Sequence, residues 1–332
     1  MLSLDMIQTL ALGGLALLGG YLLRRIVPVL GRLNLPAAVL GGLLVSLAVL
    51  LGHLGGVQPF RFDTTLQSPL MIAFFTTVGF AASLSLLKIG GPQVLRFFAL
   101  ATGFAVLQNL VGIGVALAFG LPPLFGVLAG SVTLTGGPAT GLAFAPLFEA
   151  VGIAGAASIA VATAMAGIVA GALVGSPVAT WLIERHGLGG RARRVAQPAV
   201  PVPPVVVHEA PAPHLDADDD AYLVLKNVVA VLLAMWGGSY VSAGFASLGI
   251  TLPAYIGAML VAAVIRNVDD ATGMVGLSQR TIDDLGNGAL SRFLVLALMT
   301  LRLWELAGLA LPMVVILVCQ VGLIAAVCFW PV

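Results

Sequence analysis

Apolar runs suited to crossing a bilayer return nine times along this chain, at 5–23, 35–52, 68–87, 95–119, 155–183, 222–246, 251–265, 288–303 and 306–329. A spanning helix needs about 20 mostly apolar residues, because in hydrocarbon every backbone N–H and C=O must find its partner within the protein. The run 251–265 is short, as in broken or tilted elements. No water-soluble fold can hide so much apolar surface. Hydrophobic residues make up 60% of the 332, charged residues 9%, and the mean hydropathy is +1.10, whereas soluble domains carry about 25% charged residues. The chain reads as an all-α integral membrane protein whose first partner is the lipid bilayer. Residues 7–23 read as the first span, since no cleavage site follows them.

The same composition excludes several function classes. A net charge of +1 lacks the basic face that nucleic acid requires. Cys319 and Cys328 share one apolar run near the C-terminus, so no disulfide framework is expected. His53, His186, His208 and His214 fall in loops or in the linker without metal-ligand spacing. No nucleotide loop, catalytic triad or metal motif is present, so neither an enzyme nor an ATP-driven pump is expected, and no cofactor. Lys88, Glu149, Arg302 and Glu305 lie near span ends and read as interfacial anchors. No series of acidic residues at membrane depth supports a proton pump.

Charge also orients the chain. With the N-terminus outside, the inner loops hold Arg24, Arg25, Arg32, Lys88, Arg96, Arg185, Arg191, Arg193, Arg194, Lys226, Arg266, Arg280 and Arg292. Only Arg61 and Arg302 fall outside, so thirteen of the fifteen basic residues are internal. The count holds only if 121–150 enters and leaves the membrane on one side. If that stretch crossed, the 185–194 arginines would face outward. Residues 186–221, beginning with a basic cluster and rich in proline, read as a cytoplasmic tether dividing the chain.

The stretch AGSVTLTGGPATGLAFAPL (129–147) stands out for its small and hydroxylated residues. Gly136-Gly137-Pro138 would break a continuous helix, so 121–150 reads as a re-entrant hairpin with a non-helical tip. Carbonyls and hydroxyls freed at such a tip can replace the hydration shell of sodium. The helix that follows points its N–H groups at the same place, which suits a carboxylate. The candidate ligands are Ser131, Thr133, Thr135, Gly136, Gly137 and Thr140, with Gln108 and Asn109 of the fourth span as polar companions. No other metal site is expected.

The two halves look related. Leu35-Pro36-Ala37 opens the second span of one half and Leu252-Pro253-Ala254 the second span of the other. Gln108-Asn109 has a counterpart in Gln320. Five spans before the tether start the second half on the opposite face, which gives an inverted-topology repeat, a plan common among secondary transporters. The expected domains are a first repeat at 1–185, the linker at 186–221 and a second repeat of four spans at 222–332.

Three stretches carry a family resemblance: SPLMIAFFTTVGFAASL (68–84), LAGSVTLTGGPATGLAF (128–144) and SRFLVLALMTLRLWELAGLALPMVVILVCQ (291–320). Asp5 before the first span and LPAAVLGGLLVSLAVL (35–50) also fit. The chain resembles the bacterial sodium:glutamate symporters. The resemblance implies sodium-coupled glutamate import across the bacterial inner membrane, a periplasmic N-terminus, two five-span inverted halves and an elevator-like homodimer. Family members carry a His and a Gly where this chain has Pro138 and Ala139, which bears on ligand geometry and substrate. The family also has a second Gly-rich hairpin and a tenth span. This chain ends at Phe329-Trp330-Pro331-Val332 before either, so the second repeat is expected to be incomplete, with nine crossings and one hairpin. Two other readings remain open at this point: an inactive or regulatory membrane protein, and a carrier for a different small organic anion.

Overall fold

A computed structural model describes residues 2–33, 35–56, 60–185, 217–250, 252–306 and 308–329. Apart from two short paired strands, Leu2–Ser3 and Phe60–Arg61, the structure is helical. In chain order the helices are α1 (Met6–Ile26), α2 (Pro28–Arg32), α3 (Ala37–Leu54), α4 (Gln67–Phe80), α5 (Leu84–Ala118), α6 (Pro123–Val127), α7 (Gly137–Ala150), α8 (Ala156–Arg185), α9 (Ala217–Ser247), α10 (Tyr255–Thr272), α11 (Gln279–Met299) and α12 (Ala310–Phe329). A π turn at Leu128–Val132 extends α6, and a 3₁₀ turn at Leu303–Leu306 precedes α12. Most of the tether expected at 186–221 lies outside the described residues, and its last residues, from Ala217, already belong to α9.

Among the described residues, six helical segments are long and apolar enough to cross a membrane: α1, α3, the part of α5 from Gly91 to Ala118, α8, the part of α9 from Ala221, and α12. Their outward faces are apolar, with Phe97 and Phe98 on α5 and Leu232, Trp236 and Tyr240 on α9 all exposed. This is a multi-pass membrane protein. Helix boundaries depart from the apolar runs where capping or backbone geometry decides. Asp5 caps α1 by accepting from the Gln8 amide at 2.8 Å, while Gln8 Oε1 accepts from the Asp5 amide. The run expected at 288–303 starts as a helix at Gln279, because the Ser278 hydroxyl accepts from the Thr281 amide. Its first two turns, QRTIDDLGN, are polar and contribute nothing to an apolar window. The run at 95–119 belongs to a helix that begins at Leu84 and breaks at Gly91-Pro92, where Gly91 sits at φ 52 and ψ −146.

Lipid tails are as apolar as leucine, so packing between these helices rests on close fit rather than on escape from water. Small residues allow that fit. Gly20 of α1 meets the backbone of Ala37 and Gly41 in α3, and Gly238 of α9 meets Gly257 and Ala258 in α10. The helix pairs α1–α3 and α9–α10 do not pack only on each other. Helix α4 lies on α10, where Gly79 faces the Met259 backbone. Helix α11 lies on α3, where Gly42 faces Leu298. The helices α4 and α11 then cross each other with Thr77 against Gly286.

These six helices form one bundle. The second group is α5 with α6, α7, α8 and α12. A seam joins the groups, where Leu142 and Val161 of the second group pack on Phe293, Leu294 and Leu298 of α11.

The turn after α10 has its own lock. Gly273 ends the helix in the left-handed conformation. Asp269, 7% exposed, then accepts from the amides of Val275, Gly276 and Leu277 at 2.8, 2.9 and 2.8 Å. Asp269→Asn turns an amide N–H₂ toward amide donors. It is expected to cost about 1–3 kcal/mol near pH 7, read as a lower thermal midpoint in detergent.

Candidate functional site

Residues 121–150 fold as a helical hairpin with two unequal limbs. Gly120 turns the chain after α5 at φ 69, and Pro122 and Pro123 start α6 with rings that need no N–H partner there. Helix α6 runs back along α5 so closely that Gly126 and Gly112 meet backbone to backbone. The π turn follows, with Gly130 at φ −99 and ψ −123. Such bulges free backbone groups, and here Thr133 takes one up, donating its hydroxyl to the Leu128 carbonyl at 2.8 Å. The tip closes with the amides of Thr135 and Gly136 both donating to the Ser131 carbonyl at 3.1 Å. Gly137, at φ 77, starts the outgoing helix α7, which packs on α8.

Two polar side chains of α5 hold this tip. Gln108 is 5% exposed, and its Oε1 accepts from the Thr135 hydroxyl at 2.7 Å. Asn109 Oδ1 accepts from the Ser131 amide at 3.3 Å. A third amide, Gln320 of α12, donates from Nε2 to the Gln108 main-chain carbonyl at 2.7 Å and is 2% exposed. A cavity of about 420 Å³ opens beside them, lined by Gln108, Thr135, Gln320, Leu134, Gly167 and Gly171 among others. Among the described residues, no charged side chain lines it. It runs along α8 as far as Leu182 and along α12 as far as Cys328.

The residues singled out in the sequence divide into three groups here. Gln108, Asn109, Ser131, Thr135 and Gly136 come together at the tip, with the Thr135 and Gly136 positions exposed. Thr133 is 1% exposed and its hydroxyl is engaged inside the bulge, so it shapes the tip from behind. Thr140 packs its side chain against Gly136 one turn into α7. Pro138, at the start of α7, removes one N–H from the amides that face outward at a helix N-terminus. Gln320 was read from sequence only as the repeat counterpart of Gln108-Asn109. The structure places it against Gln108 on the wall of the same cavity, and the 212-residue offset between the two glutamines was the one signal for it.

A second, more polar cleft of about 660 Å³ lies at the seam between the two helix groups, lined by Gln67, Glu149, Ser158 and Arg302 among others. Next to it, His53 stacks on Trp304 with ring centroids 4.1 Å apart. Among the described residues no cluster of His, Cys, Asp and Glu is arranged to hold a metal.

The sodium/glutamate symporter family model matches residues 2–330. The sodium/glutamate symporter of Escherichia coli (strain K12) is 36% identical over 321 residues, covering 96% of this chain and 78% of the relative. That of Haemophilus influenzae (strain Rd) is 35% identical over 320 residues with the same coverage. No solved structure matches the chain. With the family model covering nearly the whole length and relatives this similar across it, the chain belongs to the sodium/glutamate symporter family.

Proposed function

We propose that this protein is a sodium-coupled symporter that imports glutamate across a bacterial inner membrane, with no cofactor beyond the transported sodium. The observation that carries the reading is the hairpin tip. In a chain of this family, Gln108 and Thr135 present neutral oxygens at a largely apolar cavity, with Asn109 holding Ser131 at the tip behind them. Neutral oxygens replace the hydration shell of a small cation, and the amides at the start of α7 favour a carboxylate. Glutamate carries a net negative charge, so one sodium only cancels it. A second restores electrical drive, about 2.3 kcal/mol per charge per 100 mV.

In this reading α1, α3, α4, α5, α8, α9, α10, α11 and α12 cross the membrane and 121–150 re-enters from the periplasmic face, where the N-terminus lies. The basic-residue count supports that orientation. The two halves form an inverted repeat. Two features support it: Pro36 and Pro253 precede corresponding helices, and each half's third helix packs on the other half's second. The tip cavity runs along α8 to Leu182 and along α12 to Cys328, toward the ends assigned to the inside. The thin seam between two helix groups suits movement of one against the other in an elevator-like homodimer.

The test is uptake of labelled glutamate into proteoliposomes. Accumulation is expected with an inward sodium gradient and simple equilibration without one; equal uptake in both would refute coupling. Pro138 favours a second reading, a carrier for another small organic anion, because it takes one N–H from the carboxylate-facing turn. A competition panel of amino acids and dicarboxylates separates the two.

A further inference from the structure

The side-chain amide of Gln320 is held in one orientation. Its nitrogen lies 2.7 Å from the Gln108 main-chain carbonyl. A carbonyl can only accept, so the N–H₂ end of the amide must face it and the oxygen must point the other way. That oxygen, Oε1, is buried and has no hydrogen-bond partner. Gln320 lines the tip cavity together with Gln108 and Thr135. A buried acceptor left without a donor is unfavourable, more so in an apolar bundle.

The other polar side chains on this wall do not offer Gln320 a proton. The Thr135 hydroxyl gives its hydrogen to Gln108 Oε1 and turns its lone pairs elsewhere. Among the described residues, the rest of the lining is apolar or glycine apart from the weakly polar Cys328 thiol at the far end, with no acid or base. Oxygens without a charged partner are the ligand set of a hard monovalent cation rather than of a divalent one, which recruits carboxylates.

We propose that Gln320 Oε1, with Gln108 Oε1 and Thr135 Oγ1, forms a cradle for a monovalent cation at the junction of α12, α5 and the hairpin tip. The cation is either the coupling sodium or the ammonium group of an amino-acid substrate. This deepens the transport reading above and rests on it for the choice between those two.

Purified protein in lipid nanodiscs tests the cradle without transport. Thermal unfolding is followed in sodium chloride against choline chloride at equal ionic strength, for the parent protein, Gln320→Leu and Gln320→Asn. Sodium in the cradle predicts a sodium-specific rise in midpoint. Its half-saturating concentration should increase at least tenfold in Gln320→Leu and less in Gln320→Asn, which keeps an amide oxygen. An ammonium in the cradle predicts no such increase. Instead the glutamate KM rises at least tenfold in proteoliposomes of Gln320→Leu, while inhibition by glutarate, which lacks the amine, stays unchanged. If neither quantity moves in variants that unfold normally in choline, the proposal is overturned. A Gln320-dependent sodium effect in protein that fails to accumulate glutamate upholds the cradle and sinks the transport reading instead.

Discussion

Gly126→Val is expected to abolish sodium-driven uptake and to lower the thermal midpoint, while Gly114→Val, two residues beyond Gly112 on α5, does neither. A Cβ built on Gly126 meets the carbonyl oxygen of Gly112 and the amide of Ile113, and one built on Gly112 meets Gly126 in turn. Backbone cannot step aside as a flexible side chain can, so α5 and α6 must part. Overpacking of this kind costs typically 1–3 kcal/mol where neighbours can adjust, and here they cannot adjust locally. The displaced element is the limb leading to the tip, so the contacts of Asn109 with Ser131 and of Gln108 with Thr135 are lost along with the packing. Around Gly114 there is open space, so a side chain there meets nothing. The pair is read by labelled-glutamate uptake and by thermal unfolding at matched expression. Retained uptake in Gly126→Val would show that the close approach is dispensable.

Gln108→Leu should leave the bundle folded and still cut uptake on the order of 100-fold. The main-chain carbonyl that receives Gln320 survives the substitution. What disappears is Oε1, the acceptor of the Thr135 hydroxyl. Losing one buried hydrogen bond and one ligand oxygen is worth roughly 2–3 kcal/mol, and each 1.4 kcal/mol is tenfold. Gln108→Glu keeps the oxygen and should retain more activity than leucine. A Gln108→Leu protein with parental uptake would remove the residue from the site.

Hydropathy alone located most of the helices, because a long apolar run leaves the backbone no alternative to helix. It failed where a helix is amphipathic. The first turns of α11 are polar and start at a serine cap, which no apolar average detects. Gly91-Pro92 was visible as residues, but whether it would end a helix or kink one depends on what packs around it. The hydroxyl and glycine content of 129–147 singled out the segment that forms the hairpin tip. It could not distinguish Thr135, facing the cavity, from Thr133, turned inward to the Leu128 carbonyl. That difference comes from the π turn, a backbone feature without a residue signature of its own. Gln320 reaches the site through one hydrogen bond spanning 212 positions, beyond any local pattern.

The crossed packing of the six-helix bundle has a consequence for how the chain holds together. Because α4 rests on α10 and α11 rests on α3, the two halves are clasped like hands, each closing the other's grip. The covalent link through 186–216 then adds proximity rather than attachment. A protein cut there should stay in one piece through purification, whereas 1–185 or 217–332 made alone should each present an unfilled groove and be degraded. Made together from separate messages, the two pieces should find each other in the membrane.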